Sequence, residues 1–384
     1  MVPPDHSKRH ALFAKLLDLA RSEDTELAPA FYRIPIEIYV SEERLAQERA
    51  QVFERRPLAI AHASQLVEAG DAIVYDWTGL PLVTLRDKAG DIGTFLNVCR
   101  HRNTRLVQEE GATRLRAFLC PYHNWSYGLD GTLRGVPRER GFTDLDRASL
   151  NLVPVPTEVR HGLVWILADP TQEMDLDTHL AGLGADLDGF GIGEAVLYRQ
   201  HVRKVACNWK LIQDAFLDGY HVVRLHRNSV GKFFEDGVAV SEVDGEHVRS
   251  AVGRKEILKV LEADPEEWNF REHSTFSYTL FPNSVFVMHP DYSSHIALYP
   301  VGPDETVFVH SMLTPRHPAS DKERDHFDRS FELIDGGVFQ AEDIHVSESA
   351  QLGMRSGANR ELLAGGDEVA LQKFHEILNA ALGE

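Results

Sequence analysis

Two short segments of the chain each offer a thiol and an imidazole: Cys99-Arg-His101 and, after eighteen intervening residues, Cys120-Pro-Tyr-His123. With 19 histidines in 384 residues, histidine falls at both offsets by chance about once in 400 cases. Coincidence is therefore set aside. Two chemistries use such a set. A structural zinc ion takes two cysteines and two histidines in a tetrahedron and tolerates long spacers. A Rieske [2Fe–2S] cluster puts two thiolates on one iron and two imidazoles on the other. The flanks separate the two, because the cluster needs a tight, closed loop with backbone amides turned toward its sulfides. Pro121 supplies rigidity, Tyr122, Trp125 and Tyr127 supply aromatic cover, and Gly128 and Gly131 supply turns. The cluster is the preferred reading.

A second constellation lies in the stretch from Cys207 to Arg227, which holds Asp218, His221 and His226. On a helix Asp218 and His221 share a face as i, i+3 neighbours. His221 and His226 are five residues apart, roughly 140° around an ideal helix, and cannot chelate one metal from it. A π-bulge or a helix end must intervene, and an irregularity is expected around 222–226. Two histidines and one carboxylate with open positions form the facial triad of non-heme Fe(II) oxygenases. Alone the two histidines are a weak signal; an electron-delivering cluster in the same chain makes it a strong one.

At these motifs the sequence resembles the Rieske non-heme iron oxygenases, catalytic (alpha) subunits of the aromatic ring-hydroxylating type. Their C-x-H and C-x-x-H pairs have this form and this aromatic-glycine trailer. Asn208-Trp-Lys followed by Asp214-Ala-Phe-Leu-Asp-Gly-Tyr-His221, with His226 five further on, resembles the family's iron motif. The likeness covers about 40–384. It implies that Cys99, His101, Cys120 and His123 hold the cluster, and that His221 and His226 bind a mononuclear iron. The third ligand it implies is an acid in the C-terminal helix, for which Asp343 is chosen over its neighbour Glu342. Asp218 would carry electrons between an iron histidine and a cluster histidine, His123 of the partner subunit, in a homotrimer. Asn208 is placed with the catalytic residues. The chain departs from many ring-dihydroxylating members, which carry Glu-Asn where it has Asp214-Ala215; this argues against a typical cis-dihydroxylase.

The elements that must position these groups follow from texture. Residues 1–54 read as helical, including a segment capped at Ser41 and followed by Glu42 and Glu43. From 55 to 170, short Val/Ile/Leu/Phe runs are punctuated by Gly, Asp and Pro, as in a compact antiparallel β domain. From 171 to 384 helix and strand alternate, with 205–227 and 319–382 mainly helical. The fold class is α+β: a small antiparallel all-β Rieske domain inserted in a larger catalytic domain whose antiparallel sheet is covered by helices, helix-grip or START-like.

Composition narrows the function. Forty Lys and Arg against 59 Asp and Glu leave a net charge of −19, unsuited to nucleic acid or anionic membrane. Three cysteines cannot build a disulfide framework, no apolar run approaches a membrane span, and the N-terminus is no signal peptide, so a cytoplasmic location is expected. Arg100, Arg102, Arg105, Arg114 and Arg116 are either a docking patch for an acidic electron carrier or solvated arginines paired with acids such as Glu109 and Glu110. Cys207 reads as a buried, inert thiol. Phe276, Tyr278, Phe281, Val285, Phe286 and Met288 either wall a substrate pocket or, the preferred reading, form sheet core.

The expected activity is that of a terminal oxygenase. It activates O2 at Fe(II) to hydroxylate a small organic substrate, expected to be aromatic, with oxidative N- or O-demethylation or oxygenation of quaternary ammonium compounds as the alternative. No strand–GxGxxG–helix signature is present, so NAD(P)H would act through a separate ferredoxin or reductase. An electron carrier with an appended binding domain and a zinc-stabilised ligand-binding protein are the competing classes.

Overall fold

The structure, a computed structural model, describes residues 4–262 and 264–384, and the chain divides into two compact units, 53–176 and 1–52 with 177–384.

The 53–176 unit is built from antiparallel strands. A five-stranded sheet runs in the order Pro154–Val155, Ile92–Leu96, Leu82–Arg86, Asp71–Tyr75, Gly111–Arg114. A three-stranded sheet joins Thr157–Arg160, Leu163–Ile166 and Leu58–His62, and a second joins Phe118–Leu119, Ser126–Tyr127 and Leu133–Gly135. Val74, Val83, Leu85, Phe118, Trp125, Tyr127 and Leu133 form its core. The apolar runs in the sequence correspond to the long strands here. The two-residue strands escape a periodicity reading because two residues define no period.

The second unit is organised on a seven-stranded antiparallel sheet. Six strands follow one another as a meander from Phe234–Asp244 through His247–Arg254, Ser274–Leu280, Ser284–Met288 and Ser293–Gly302 to Glu305–Thr314, and Val196–Val205 returns beside the last. A two-residue loop, Gly245-Glu246, closes the first hairpin; φ of +62° at Gly245 suits the tight turn that matches strand twist. One face of the sheet packs on Pro4–Ser22 and Leu183–Gly189, where Phe190 meets Phe276 and Tyr278 at ring distances of 5.6 and 5.9 Å. The other carries Trp209–Leu217, the π-helix Glu332–Ile344 and the helix Val369–Leu382, locked by Phe216 on Phe339 and Trp209 on Phe374.

The helix expected over 205–227 is interrupted. It runs Trp209–Leu217, breaks at Asp218–Tyr220, and resumes as a single turn, Val222–Leu225. The helix end expected around 222–226 is there, at His226, and a second break, at Asp218–Tyr220, precedes His221. Asp218 imposes the break, since its carboxylate accepts the amides of Tyr220 (2.7 Å) and His221 (3.2 Å) that a continuing helix would use.

Candidate active site

In the 53–176 unit, Cys99 and Cys120 open two loops with the same construction. The amide of Asn103 bonds to the Cys99 carbonyl (3.0 Å) and that of Asn124 to the Cys120 carbonyl (2.9 Å). Both asparagines are left-handed, with φ of 55° and 58°. Asparagine tolerates that region, so an Asn four residues after each Cys was a readable signal that sequence reasoning passed over. The two thiols are buried and unbridged. The rings of His101 and His123 lie 4.6 Å apart, and the Nδ1 atom of each is buried without a hydrogen-bond partner among the described residues. A buried nitrogen with no partner costs stability unless something binds it, so the paired thiols and inward Nδ1 atoms fit a [2Fe–2S] cluster. Trp125 stacks on His101 at 4.8 Å. The Tyr127 hydroxyl accepts from the Arg100 amide (3.0 Å) and lies 3.5 Å from Cys99 Sγ, to which it can donate once that sulfur is a thiolate.

Of the five arginines nearby, Arg105 pairs with Glu110, Arg114 with Asp71, and Arg100 reaches the Ser149 carbonyl. Two of the five thus pair with acids, and a third with a backbone carbonyl.

In the second unit the break at Asp218 leaves His221 at the start of the single turn and His226 at its end. Their Nε2 atoms come within 3.0 Å, and Asp343 Oδ1 lies 3.5 and 3.2 Å from them. Metal–nitrogen bonds of about 2.1 Å at right angles set donor atoms about 3.0 Å apart, so the three fit one triangular face of an iron's coordination shell. The cluster of carboxylates demands positive charge here. Burial opposes protonation of His221, but hydrogen bonds to Asp218 and Asp343 outweigh it and carry the ring to about 10. A metal dication meets the same demand.

Asp343 is carried by a π-helix, a form that recurs at functional sites. His226 Nδ1 donates to Glu342 (2.7 Å), which Ser229 also approaches at 2.7 Å. Sequence reasoning set Glu342 aside, yet it orients an iron-site imidazole. Asp335 was missed altogether. It is buried and accepts from His310 (2.9 Å), His201 (2.8 Å) and Arg203, tying the π-helix to two strands; those partners hold its carboxyl well below the usual range despite burial.

Two expectations need correction or refinement. Asn208 does not join the iron residues. Its side chain caps the helix at the Lys210 amide (3.0 Å) and donates to the carbonyls of Tyr39 and Pro303, so it positions the scaffold. Asp214, the departure from the family pattern, is likewise structural, holding the Tyr39 hydroxyl (2.6 Å) and His375 (2.9 Å). Cys207 is fully buried, its thiol pushed up to about 12 by desolvation.

His221, His226 and Asp343 open into a cavity of about 260 Å³. Phe216, Phe233, Phe234, Leu333, Val338 and Phe339 make much of its wall. The sheet contributes Ser250, Val252, Thr275, Ser277 and Val287, and His289 follows the strand that carries Val287. None of the six apolar residues singled out in the sequence lines it; Phe276, Tyr278, Phe286 and Met288 alternate with the lining positions and point to the opposite face.

A β unit with two Cys–His loops and an antiparallel-sheet unit with a two-histidine, one-carboxylate centre together define the terminal component of an oxygenase. Similarity to known proteins agrees. The ring hydroxylating alpha subunit (catalytic domain) matches residues 192–384 and the Rieske [2Fe-2S] domain matches residues 56–154. The chain is 26% identical to the carnitine monooxygenase oxygenase subunit of Escherichia coli (strain K12), over 90% of this chain and 93% of that protein. It is 30% identical to biphenyl 2,3-dioxygenase subunit alpha of Rhodococcus jostii (strain RHA1), over 55% of this chain and 47% of that one. In fold it is similar to a quaternary ammonium Rieske monooxygenase (TM-score 0.79, 20% identity, 97% of this chain and 98% of that one). It is similar also to naphthalene 1,2-dioxygenase from Rhodococcus sp. (TM-score 0.76, 22% identity, all of both chains). This chain belongs to the ring-hydroxylating oxygenase alpha subunits. It is the terminal, Rieske-type oxygenase of its system, an oxidoreductase that uses a [2Fe–2S] cluster and a mononuclear iron, takes electrons from a ferredoxin or reductase, and acts on a small molecule. No helix among the described residues is long and apolar enough to cross a membrane.

Proposed function

We propose that this enzyme oxygenates a small organic substrate with an aromatic or similarly apolar body, bound in the cavity beside His221, His226 and Asp343. The observation that carries this is the cavity itself, where the three prospective iron ligands share one wall with phenylalanine and aliphatic side chains. In this reading Cys99, Cys120, His101 and His123 hold the cluster and the three cavity residues hold the iron. The cluster supplies single electrons and the iron supplies O2 activation. The residues do the rest: Glu342 fixes the His226 ring, Asp218 fixes His221, and the apolar wall excludes bulk water from the reacting face. Asp218 is the electron path to a cluster histidine of the partner subunit in a homotrimer. Its carboxylate, 3.5 Å from His221 Nδ1 and partly exposed, supports that role.

A second reading, oxygenation of a quaternary ammonium compound, has its own support in the carnitine monooxygenase relative, which aligns over 90% of this chain. Phe216, Phe233, Phe234 and Tyr292 in the lining could face a cation. Substrate-dependent O2 uptake by the iron-loaded enzyme with a reductase distinguishes the two. Uptake and product with benzoate or toluene, and none with L-carnitine, is the expected result. Uptake with L-carnitine alone would overturn the aromatic reading in favour of the second.

A further inference from the structure

The cavity holds a positive charge that no acid among the described residues pairs with. Among its charged lining residues, Asp343 and Asp218 face the iron histidines, Glu26 accepts the Ser241 amide (2.8 Å), and Asp367 interacts with Arg224. The remaining charge is Arg254, the last residue of its strand. Its side chain has no hydrogen-bond or ion-pair partner among the described residues. Its guanidinium lies 5.8 and 5.7 Å above the rings of Phe233 and Phe234. It is half-buried, and desolvation pulls its pKa below the usual 12.5.

A second donor stands in the same lining. Tyr292 is 8% exposed, and its hydroxyl likewise has no partner among the described residues. Its ring stacks on His289 at 4.3 Å. His289 is held neutral, down to about 3, by burial and by the charges of His310, Arg271 and Arg254. The neighbouring Arg271 is satisfied by carbonyls, those of His289 (2.6 Å), Tyr292 (2.8 Å) and Phe190 (3.0 Å), and not by an acid. Asp291, the acid closest in sequence, is engaged by His326 at 2.5 Å. This corner therefore combines two guanidiniums, a neutral imidazole and a phenol, and among the described residues no carboxylate is bound to any of them.

A guanidinium removed from water without a counter-charge is costly, and its planar donors match a carboxylate in two parallel hydrogen bonds. We propose that the substrate carries a carboxylate, bound by Arg254 with the Tyr292 hydroxyl as a further donor, while its apolar body lies along Phe216, Val338 and Phe339 toward the iron residues. This rests on the reading of the cavity as the substrate site and narrows it to organic acids. Arg254 selects substrate; it takes no part in the chemistry.

The test is calorimetric binding to the iron-loaded enzyme of benzoate, phenylacetate and 3-phenylpropionate, each against its amide. At least one acid should bind roughly tenfold or more tighter than its amide, the usual worth of a charge-assisted hydrogen bond. Arg254→Gln should abolish that preference without weakening the amide, and Arg254→Lys should restore part of it. Equal binding of every acid–amide pair, no binding of any acid, or a preference untouched in Arg254→Gln would overturn the proposal. If Arg254→Gln does not fold, the wild-type preference and Arg254→Lys still decide. Iron content and O2 uptake of the same samples report separately on the oxygenase reading, so loss of one is not mistaken for loss of the other.

Discussion

Glu342 and Asp343 are consecutive in the chain, yet they hold the two nitrogens of one imidazole. Glu342 Oε2 lies 2.7 Å from His226 Nδ1, and Asp343 Oδ1 lies 3.2 Å from Nε2. On an α-helix, neighbours diverge by about 100°. The π-helix winds more residues into each turn and narrows that angle, so both acids reach the same ring. The wider helix is thus part of how the metal site is built.

Removing the outer acceptor should loosen the metal. Glu342→Gln is expected to weaken iron binding ~10–100-fold, the common cost of losing such a support. Chelator titration of the iron-loaded enzyme measures it, with the cluster spectrum as an internal control. Iron retained as tightly as in the wild type would mean that Asp343 and His221 fix His226 unaided.

Asp218→Asn separates charge from shape. The amide oxygen can still accept from the Tyr220 and His221 amides, so the break in the helix should persist. Both metal sites should stay filled while turnover with substrate is largely lost. Product formed at the normal rate would rule out electron flow through this carboxylate.

Tyr127 offers a measurable handle on the cluster. Its hydroxyl lies 3.5 Å from Cys99 Sγ and can donate to the thiolate, and hydrogen bonds to sulfur tune a cluster's potential. Tyr127→Phe is expected to lower the midpoint by ~50 mV, about the one-electron equivalent of a ~1 kcal/mol hydrogen bond. Protein-film voltammetry reads this directly, and an unchanged potential would show that the bond does not reach the sulfur.

How much was legible depended on sequence distance. Each cluster loop keeps its ligands within four residues, and His221 and His226 are five apart, so local spacing sufficed. Asp343 lies more than a hundred residues away and was reached only by likeness to a family. Asp335 was invisible, and Glu342 was seen only as the rejected neighbour of Asp343, because their partners sit on strands and turns that only the folded chain brings near. Asn208 was misjudged for the opposite reason: it neighbours the motif in sequence, but its amide faces Tyr39 and Pro303.

The sheet's two faces make a further test. Alternation was readable in Thr275-Phe276-Ser277-Tyr278, but not which face looks inward to substrate, because apolar helices cover both. The small residues face the cavity and leave its volume open. Ser277→Leu should raise KM about tenfold or more with little loss of stability. Phe276→Ala should cost about 3–5 kcal/mol in urea unfolding and leave KM nearly unchanged. Reversed outcomes would mean that the substrate lies on the other side of the sheet.

Acid sensitivity should trace in part to His247. Its Nδ1 accepts the Phe281 amide (3.0 Å) and its Nε2 donates to the His179 carbonyl (2.6 Å), so the neutral ring has both nitrogens satisfied. Burial foremost holds it below its ordinary 6.5. The unfolded chain therefore takes up this proton first, and the stabilisation is present above pH 6.5 and lost as the pH falls below it. The loss approaches ~1.4 kcal/mol per pH unit for one such group. Glutamine at this position can keep one donor and one acceptor without titrating. Urea unfolding of iron-loaded His247→Gln at pH 7 and pH 5 should show a shallower decline than the wild type, whereas parallel declines would place the acid-sensitive group elsewhere.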